Sequence, residues 1–264
     1  DDVESRGLGD VYKRQADGFA GGDGSEGSPF EIANGEQLAY FEKQVNGRYS
    51  YEGKYIKLTA NIDLGGREWT PIGYVDLFLG TFDGCGHTVS NFVINKPDGN
   101  WVALFSQNRG TIKNLGVENA EITGNNYVGG ICGYNHNLGT ISNCYNTATI
   151  SGSKYVGGVC GYNGRGNTSD GTITNCYNTG AVKGSNAVGG VSGSNIGTIT
   201  NCYNIGTVSG ESAIGGVCGT NKGGTVTNCY YDKNTCTVGG IDGSDADGFA
   251  TGLTLSLIHI SEPT

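Results

Sequence analysis

The stretch from Tyr127 to Gly152, with its YVGGICGYN and GTISNCYNTATISG segments, returns from Tyr155 to Gly184 and twice more before Tyr231. A chain made by tandem reuse of one short unit folds as a stack, each unit burying its apolar face against its neighbours. Aligning on the Asn that closes a Thr-(Ile/Val)-x triplet gives Asn91, Asn114, Asn143, Asn175, Asn201 and Asn228, at intervals of 23, 29, 32, 26 and 27 residues. That spacing describes six turns of a unit of about 26 residues. The length differences gather at one corner: HNL follows Asn135, GRGNTSD follows Asn163, and only Ile196 follows Asn195.

Within a unit, short segments of β character such as Val128 to Tyr134, Thr140 to Asn143 and Cys144 to Ser151 are separated by Gly or Asn, and no 3.6-residue period runs through them. Helical repeats are excluded. Three strands per turn would set each strand beside its equivalent one turn later, in parallel sheets spaced by about 4.8 Å. Stacking of this kind creates columns. Val89, Ile112, Ile141, Ile173, Ile199 and Val226 form one, and Phe92, Leu115, Cys144, Cys176, Cys202 and Cys229 a second. Phe82, Phe105, Cys132, Cys160, Ser192 and Cys218 form a third. Cys stands where Phe or Leu stands in other turns, so its thiol reads as a small core hydrophobe, with inter-turn disulfides as the competing reading. The six Asn form a corner column, because Asn tolerates the left-handed region and its amide both donates and accepts along a stack.

Tyr145, Tyr177, Tyr203 and Tyr230 each follow an inward Cys, so alternation points them outward in a row. Such a row would bind the faces of sugar rings, with Asn146, Asn178 and Asn204 as polar partners if the strand turns them outward; the plainer reading is self-stacking along the sheet. Elsewhere the chemistry is sparse. Glu118, Glu121, Asp170 and Glu211 occupy non-equivalent places, and Arg165 and Asp170 share the longest corner insertion, a composition common in solvated loops. DGSDADG, Asp242 to Gly248, fails the spacing of a calcium loop. The nine Cys include no C-x-x-C pair and no His at ligand spacing. No catalytic, cofactor-binding or metal-ligating residue follows, and no cofactor is implied. A net charge of -9 without a basic stripe argues against nucleic acid and anionic lipid as partners. No apolar run is long enough to span a bilayer.

The organisation reads as five stretches. Residues 1–15 and 256–264 break the compositional pattern, resemble translated adapter sequence and are set aside as artefactual. Residues 16–70 form an N-terminal cap and first strands, in which GEQLAYFEKQV places Leu38, Phe41 and Val45 on one helical face as a lid for the open core. Residues 71–236 are the repeats, and 237–255 an acidic turn with no comparable lid, an end that suggests further sequence beyond it.

The units, VGGICGYNHNLGTISNCYNTATI above all, resemble the GLUG-motif repeats of bacterial surface and secreted proteins. The lead-in PFEIANGEQLAYF, YIKLTANIDLGGREWTPIG and GTFDGCGHTVSNFVI resembles the segment that precedes such repeats. The resemblance implies an all-β, right-handed parallel β-helix with a pectin-lyase-like fold, extracellular, on a bacterial surface or secreted. The family includes arrays attached to large immunoglobulin-A-cleaving metallopeptidases, in which the repeats are not catalytic; this chain has no H-E-x-x-H, and His87, His136 and His259 lie in unrelated contexts. The expectation is therefore a non-catalytic surface stalk or adhesin module, whose partners would be host or bacterial surface glycans or proteins. The alternatives are a glycan-binding module using the Tyr row, a β-helix polysaccharide lyase or glycosidase, and the non-catalytic repeat region of a peptidase.

Overall fold

Runs of two to four residues, many of them ended by Gly or by a residue with positive φ, make strands too short to stand alone. Here each is held by its equivalents above and below. The computed structural model describes residues 18–166, 171–243 and 250–254; the segments set aside as artefactual, Asp170 and most of the DGSDADG turn fall outside them. One coil shows the pattern: Lys154–Gly157, Cys160–Asn163, Thr172–Thr174, Tyr177–Asn178 and Val182–Lys183. Each coil thus carries five short strands rather than three. Val128 to Tyr134 is interrupted at Gly129 and Gly130, and Cys144 to Ser151 at Thr147 and Ala148.

The strands assemble into an eight-stranded sheet, a twelve-stranded sheet and two five-stranded sheets. Every pairing among the named strands is parallel, and in the eight-stranded sheet Ile112, Ile141, Ile173, Ile199 and Val226 sit on successive rungs. This is a parallel β-solenoid.

The alignment fails at its first unit. The rung before Ile112 is Phe82, not Val89, and the eight-stranded sheet continues back through Ile56 to Phe30. Val89 instead pairs with Val117 in the twelve-stranded sheet. Phe92 pairs with Arg67 rather than preceding Leu115, and the partner before Phe105 is Ile72 rather than Phe82. The cause is the uninterrupted strand Thr88–Asn95, which pairs with both Gly116–Glu118 and Glu121–Thr123. Its TVSN segment imitates the repeated TIxN but lies on another wall. Asn91 therefore does not belong to the Asn114 column, and Asn114 donates to Asp83 Oδ1 at 2.9 Å instead.

The other five corner Asn adopt φ between 50° and 53°, in the left-handed region. Their amides bond from coil to coil: Asn143 to Asn114 at 3.0 Å, Asn175 to Asn143 at 3.1 Å, Asn201 to Asn175 at 3.2 Å and Asn228 to Asn201 at 3.3 Å. All but Asn114 are solvent-exposed.

Two further Asn columns lie inside. Asn108, Asn135, Asn163, Asn195 and Asn221 are linked through Nδ2 to Oδ1 at 2.8, 2.8, 2.8 and 3.0 Å. Asn146, Asn178 and Asn204 are linked at 2.8 and 2.8 Å, and all three are fully buried. Each of these amides also donates to a nearby carbonyl of its own corner, as Asn178 does to Gly180 O at 2.8 Å and Asn163 to Gly171 O at 3.0 Å. The amide crosses a space that only glycine leaves open. A Cβ on Gly130, Gly158 or Gly190 would collide with Asn146, Asn178 or Asn204, and a Cβ on Gly139 or Gly171 with Asn135 or Asn163.

Around these ladders the interior is apolar. Leu115, Cys144, Cys176, Cys202 and Cys229 form one buried column, and Phe105, Cys132, Cys160, Ser192 and Cys218 another. The nine thiols are free, and Cys144, Cys176, Cys202 and Cys229 each bond a backbone carbonyl two residues earlier at 3.2 Å. Burial pushes the Cys176 and Cys202 thiols well up, so they stay protonated and inert.

The helix Gly35–Asn46 enters between the first two rungs of the eight-stranded sheet, after the strand Phe30–Ile32. Asn34 caps it by accepting from Gln37 N at 3.0 Å, while Gln37 Oε1 accepts from Ala33 N at 2.7 Å. Leu38, Phe41 and Val45 are buried, and Phe41 stacks on Phe82 at 5.6 Å and meets Phe78 edge-on at 5.8 Å. The apolar face thereby closes one end of the core.

Two outcomes follow. Native protein titrated with a thiol reagent is expected to yield one accessible thiol, Cys85, the other eight appearing only on denaturation; several fast-reacting thiols, or fewer than nine after denaturation without reductant, would contradict this packing. In urea melts, Asn178→Ala is expected to cost about 3 kcal/mol, because it orphans buried partners as well as losing bonds. Asn175→Gly, which keeps the left-handed φ at an exposed corner, is expected to cost about 1 kcal/mol or less; equal losses would contradict the distinction between the two ladders.

Candidate functional site

Strand alternation puts Tyr145, Tyr177, Tyr203 and Tyr230 on successive rungs of the twelve-stranded wall, each half-exposed. The first three rings form a parallel stack, with centroids 5.0 and 4.9 Å apart and planes within 3° and 4°. A Cβ on Gly116, one rung before Tyr145, would strike that ring, so glycine there gives the stack its starting space. The Tyr145 hydroxyl donates to Glu118 Oε1 at 2.6 Å, and burial followed by this carboxylate raises its pKa. In such a stack the inner ring faces cover one another, leaving edges and hydroxyls toward solvent. Asn146, Asn178 and Asn204 are not beside the rings as polar partners: the residue after an outward Tyr points inward, and these three form the buried ladder.

A second aromatic cluster occupies the two five-stranded walls. Trp101, Tyr127, Tyr155, Ala187 and Ala213 all have positive φ, from 52° to 60°. Their neighbours on either side pair across the sheet, Asn126 with Lys154 and Val128 with Val156, while Tyr127 and Tyr155 stand out of the ladder. The bend belongs to the coil, since alanine adopts it too; the rings are an addition to it. On the adjoining wall, Tyr134 and Tyr162 occupy rungs held elsewhere by Gln107, Ser194 and Thr220. Tyr127 stacks on Trp101 at 6.3 Å and on Tyr155 at 5.1 Å. Tyr162 stands near-perpendicular to Tyr127, Tyr134 and Tyr155, at 72°, 83° and 86°. Lys154 Nζ lies 4.8 Å and Lys222 Nζ 5.3 Å from the Tyr155 ring centroid. Tyr127 and Tyr155 were visible as the Tyr that precedes VGG in two units, but nothing in the spacing tells that they meet the Tyr of GYN on another wall.

His136 closes one side of the cluster. Its ring lies 3.9 Å from Tyr134, with Nε2 3.2 Å from Gln107 Oε1. Burial, with Arg165 and Arg109 nearby, lowers its pKa from 6.5 to about 4.

The acids remain dispersed in function. Asp63 and Glu121, from separate coils, line one open depression of about 360 Å³ together with Asn91 and Asn119, a pairing the sequence spacing did not reveal. The Asp63 carboxyl lies below its ordinary range because the Gly65 N–H donates to it at 2.8 Å and Asn91 adds a further bond. Glycosidic cleavage needs one carboxylic acid held protonated and a second carboxylate ionised, and the lowered Asp63 suits only the second of these roles. Among the described residues no three His, Cys, Asp or Glu converge as metal ligands, and Asp170, the proposed neighbour of Arg165, lies outside them.

Residues 124–151 and 152–183, two consecutive coils, each match the family described as the GLUG motif. These two coils are GLUG repeats. A stretch of 125 residues is 34% identical to a protein of Evansella cellulosilytica described as a candidate Gly-rich membrane protein, covering 41% of this chain and 14% of that protein. Another of 135 residues is 36% identical to halomucin of Haloquadratum walsbyi, covering 46% of this chain and 1% of halomucin. The chain thus spans a small part of these curated relatives. The crystal structure of a candidate immunoglobulin A1 protease from Bacteroides ovatus superposes with a TM-score of 0.73 at 23% identity, covering 92% of this chain and 89% of that one. At that identity the likeness concerns the fold. Among the described residues no helix is long and apolar enough to cross a membrane.

The low pKa of His136 has a signed consequence. In the unfolded chain this group takes a proton near pH 6.5, but in the folded GLUG coil only near pH 4. Its neutral form therefore contributes stability that is complete above pH 6.5 and is lost as pH falls from 6.5 toward 4. His136→Phe, which keeps a ring over Tyr134, is expected to flatten the stability profile in that window; an unchanged slope in urea melts from pH 4 to 7 would contradict the assignment.

Proposed function

We propose that this chain is a non-catalytic structural segment of an extracellular bacterial protein, serving as a stiff stalk or adhesin module at the cell surface. The observation that carries the reading is the coil itself. Three Asn ladders and an in-register parallel backbone make a rod whose outward residues are mostly small and polar, suited to holding distance and presenting surfaces. Relatives named for a membrane protein and for halomucin, both far longer than this chain, support a place within a large surface protein. The catalytic alternatives have less to rest on: of the two acids lining the depression of Asp63 and Glu121, Asp63 is shifted away from proton donation. Glycan binding through Tyr145, Tyr177 and Tyr203 is disfavoured by the ring faces being spent on one another.

Antibodies raised against the folded repeat are expected to label intact, unpermeabilised cells that express the complete gene. Labelling only after permeabilisation would overturn the surface assignment. Turnover of any member of a polysaccharide panel by the purified chain, abolished by Asp63→Asn, would overturn the non-catalytic one.

A further inference from the structure

The aromatic cluster on the two five-stranded walls coincides with an unusual charge distribution. Arg109, Lys154, Arg165 and Lys222 are all exposed. Arg109 and Lys222 directly follow members of the buried Asn108 ladder, Arg165 follows Asn163 by two residues, and Lys154 adjoins Tyr155. The wall segments 100–109, 126–136, 154–166, 186–196 and 212–222 contain no Asp or Glu, in a chain with 25 acids against 16 Lys and Arg. The ion pairs Lys57–Glu31 and Lys113–Asp83, at 3.1 and 3.2 Å, both lie on the eight-stranded wall. Positive charge is thus gathered where the rings are, and no carboxylate interrupts these five rungs; Asp76 lies on the rung before Phe105–Asn108 and Asp242 on the one after Cys218.

The backbone of the coil does not require the rings. Ala187 and Ala213 hold the same left-handed bend as Tyr155, and Ser194 and Thr220 the same rungs as Tyr162. The ring geometry also differs from the Tyr145 stack. Tyr162 has no parallel neighbour among its three ring contacts, and Trp101 meets only Tyr127 among the described rings. Half-exposed ring surface on Trp101 and Tyr162 is therefore left beside Tyr155, whose ring carries Lys154 and Lys222, and none of the four cations makes an ion pair among the described residues.

We propose that the platform of Trp101, Tyr127, Tyr155 and Tyr162 binds an acidic, uronate-bearing polysaccharide, whose sugar rings rest on aromatic surface while Lys154, Lys222 and Arg165 receive the carboxylates. The apolar faces of pyranose rings fit ring surfaces of this kind, and the charged contacts fix the polarity and orientation of the chain. A coil rise of about 4.8 Å places successive rungs at a spacing near that of one sugar in an extended glycan. A single-stranded nucleic acid also offers stacking faces and anions, but it carries a charge on every unit and calls for a denser basic track than four cations on a chain of net charge -9. The site adds a ligand to the surface reading without depending on it.

The test is affinity electrophoresis of the full chain through gels containing polygalacturonate, with neutral dextran and single-stranded oligo(dT) as parallel arms. Retardation by polygalacturonate and not by dextran, weakening with added salt, is expected. Lys154→Gln with Lys222→Gln is expected to weaken it at least tenfold. Tyr155→Ala and Tyr162→Ser, which copy residues the coil already uses on equivalent rungs, are expected to weaken it with unchanged melting temperature, while Tyr177→Ala on the other wall leaves it intact. Absent retardation, equal retention by dextran, unaffected binding by these variants, or preference for oligo(dT) would each overturn the proposal.

Discussion

An amide buried between two coils spends one N–H on its own corner and finds an acceptor for the other in an amide directly above or below it, and the fold depends on that constraint. In the Asn135, Asn163, Asn195 and Asn146, Asn178, Asn204 columns each side chain bonds its own corner and the next coil at once. Sliding one coil by a single residue would part each of these amides from its partner, at a cost of about 1–3 kcal/mol for each group left unsatisfied. Hydrophobic columns of Ile, Val and Cys favour compaction but tolerate exchange among themselves. The buried amides choose the register. The abundance of glycine serves the same end, as clearance for amides at Gly130, Gly158 and Gly190 rather than as a source of flexibility.

Much of this was readable from the residues. The repeated TIxN and CYN segments located the stacked Ile and Cys columns, the left-handed corner Asn and the outward Tyr row, and the 3.6-residue spacing of Leu38, Phe41 and Val45 located the capping face. Two things were not readable, for physical reasons. Asn91 ends a TVSN segment that matches the repeat locally, and only the pairing of one long strand with two later ones reveals that it lies on another wall. The inward direction of Asn146, Asn178 and Asn204 follows from alternation once Tyr is outward, yet their polarity argues the other way, and only the continuous ladder reconciles burial with an amide.

The same architecture separates scaffold from site. At the left-handed bend of the five-stranded wall the backbone is alike whether the residue is Trp101, Tyr127, Tyr155, Ala187 or Ala213, so side chains there can vary without disturbing the coil. Corner segments after Asn108, Asn135, Asn163, Asn195 and Asn221 vary in length while the rungs stay in register. A rod of this kind acquires a binding surface by substitution at tolerant columns. The aromatic and cationic platform is drawn from separate coils and two walls, and no single repeat displays it.

The most direct test of the central claim is a double-mutant cycle on Asn163 and Asn195, whose amides meet at 2.8 Å across one coil boundary. Measured by urea unfolding of Asn163→Ala, Asn195→Ala and the double variant, the coupling energy is predicted to reach about 1 kcal/mol or more, because each amide depends on the other for its partner. Additivity to within about 0.3 kcal/mol would show that the amides act independently, and the ladder could not then be what holds the coils in register.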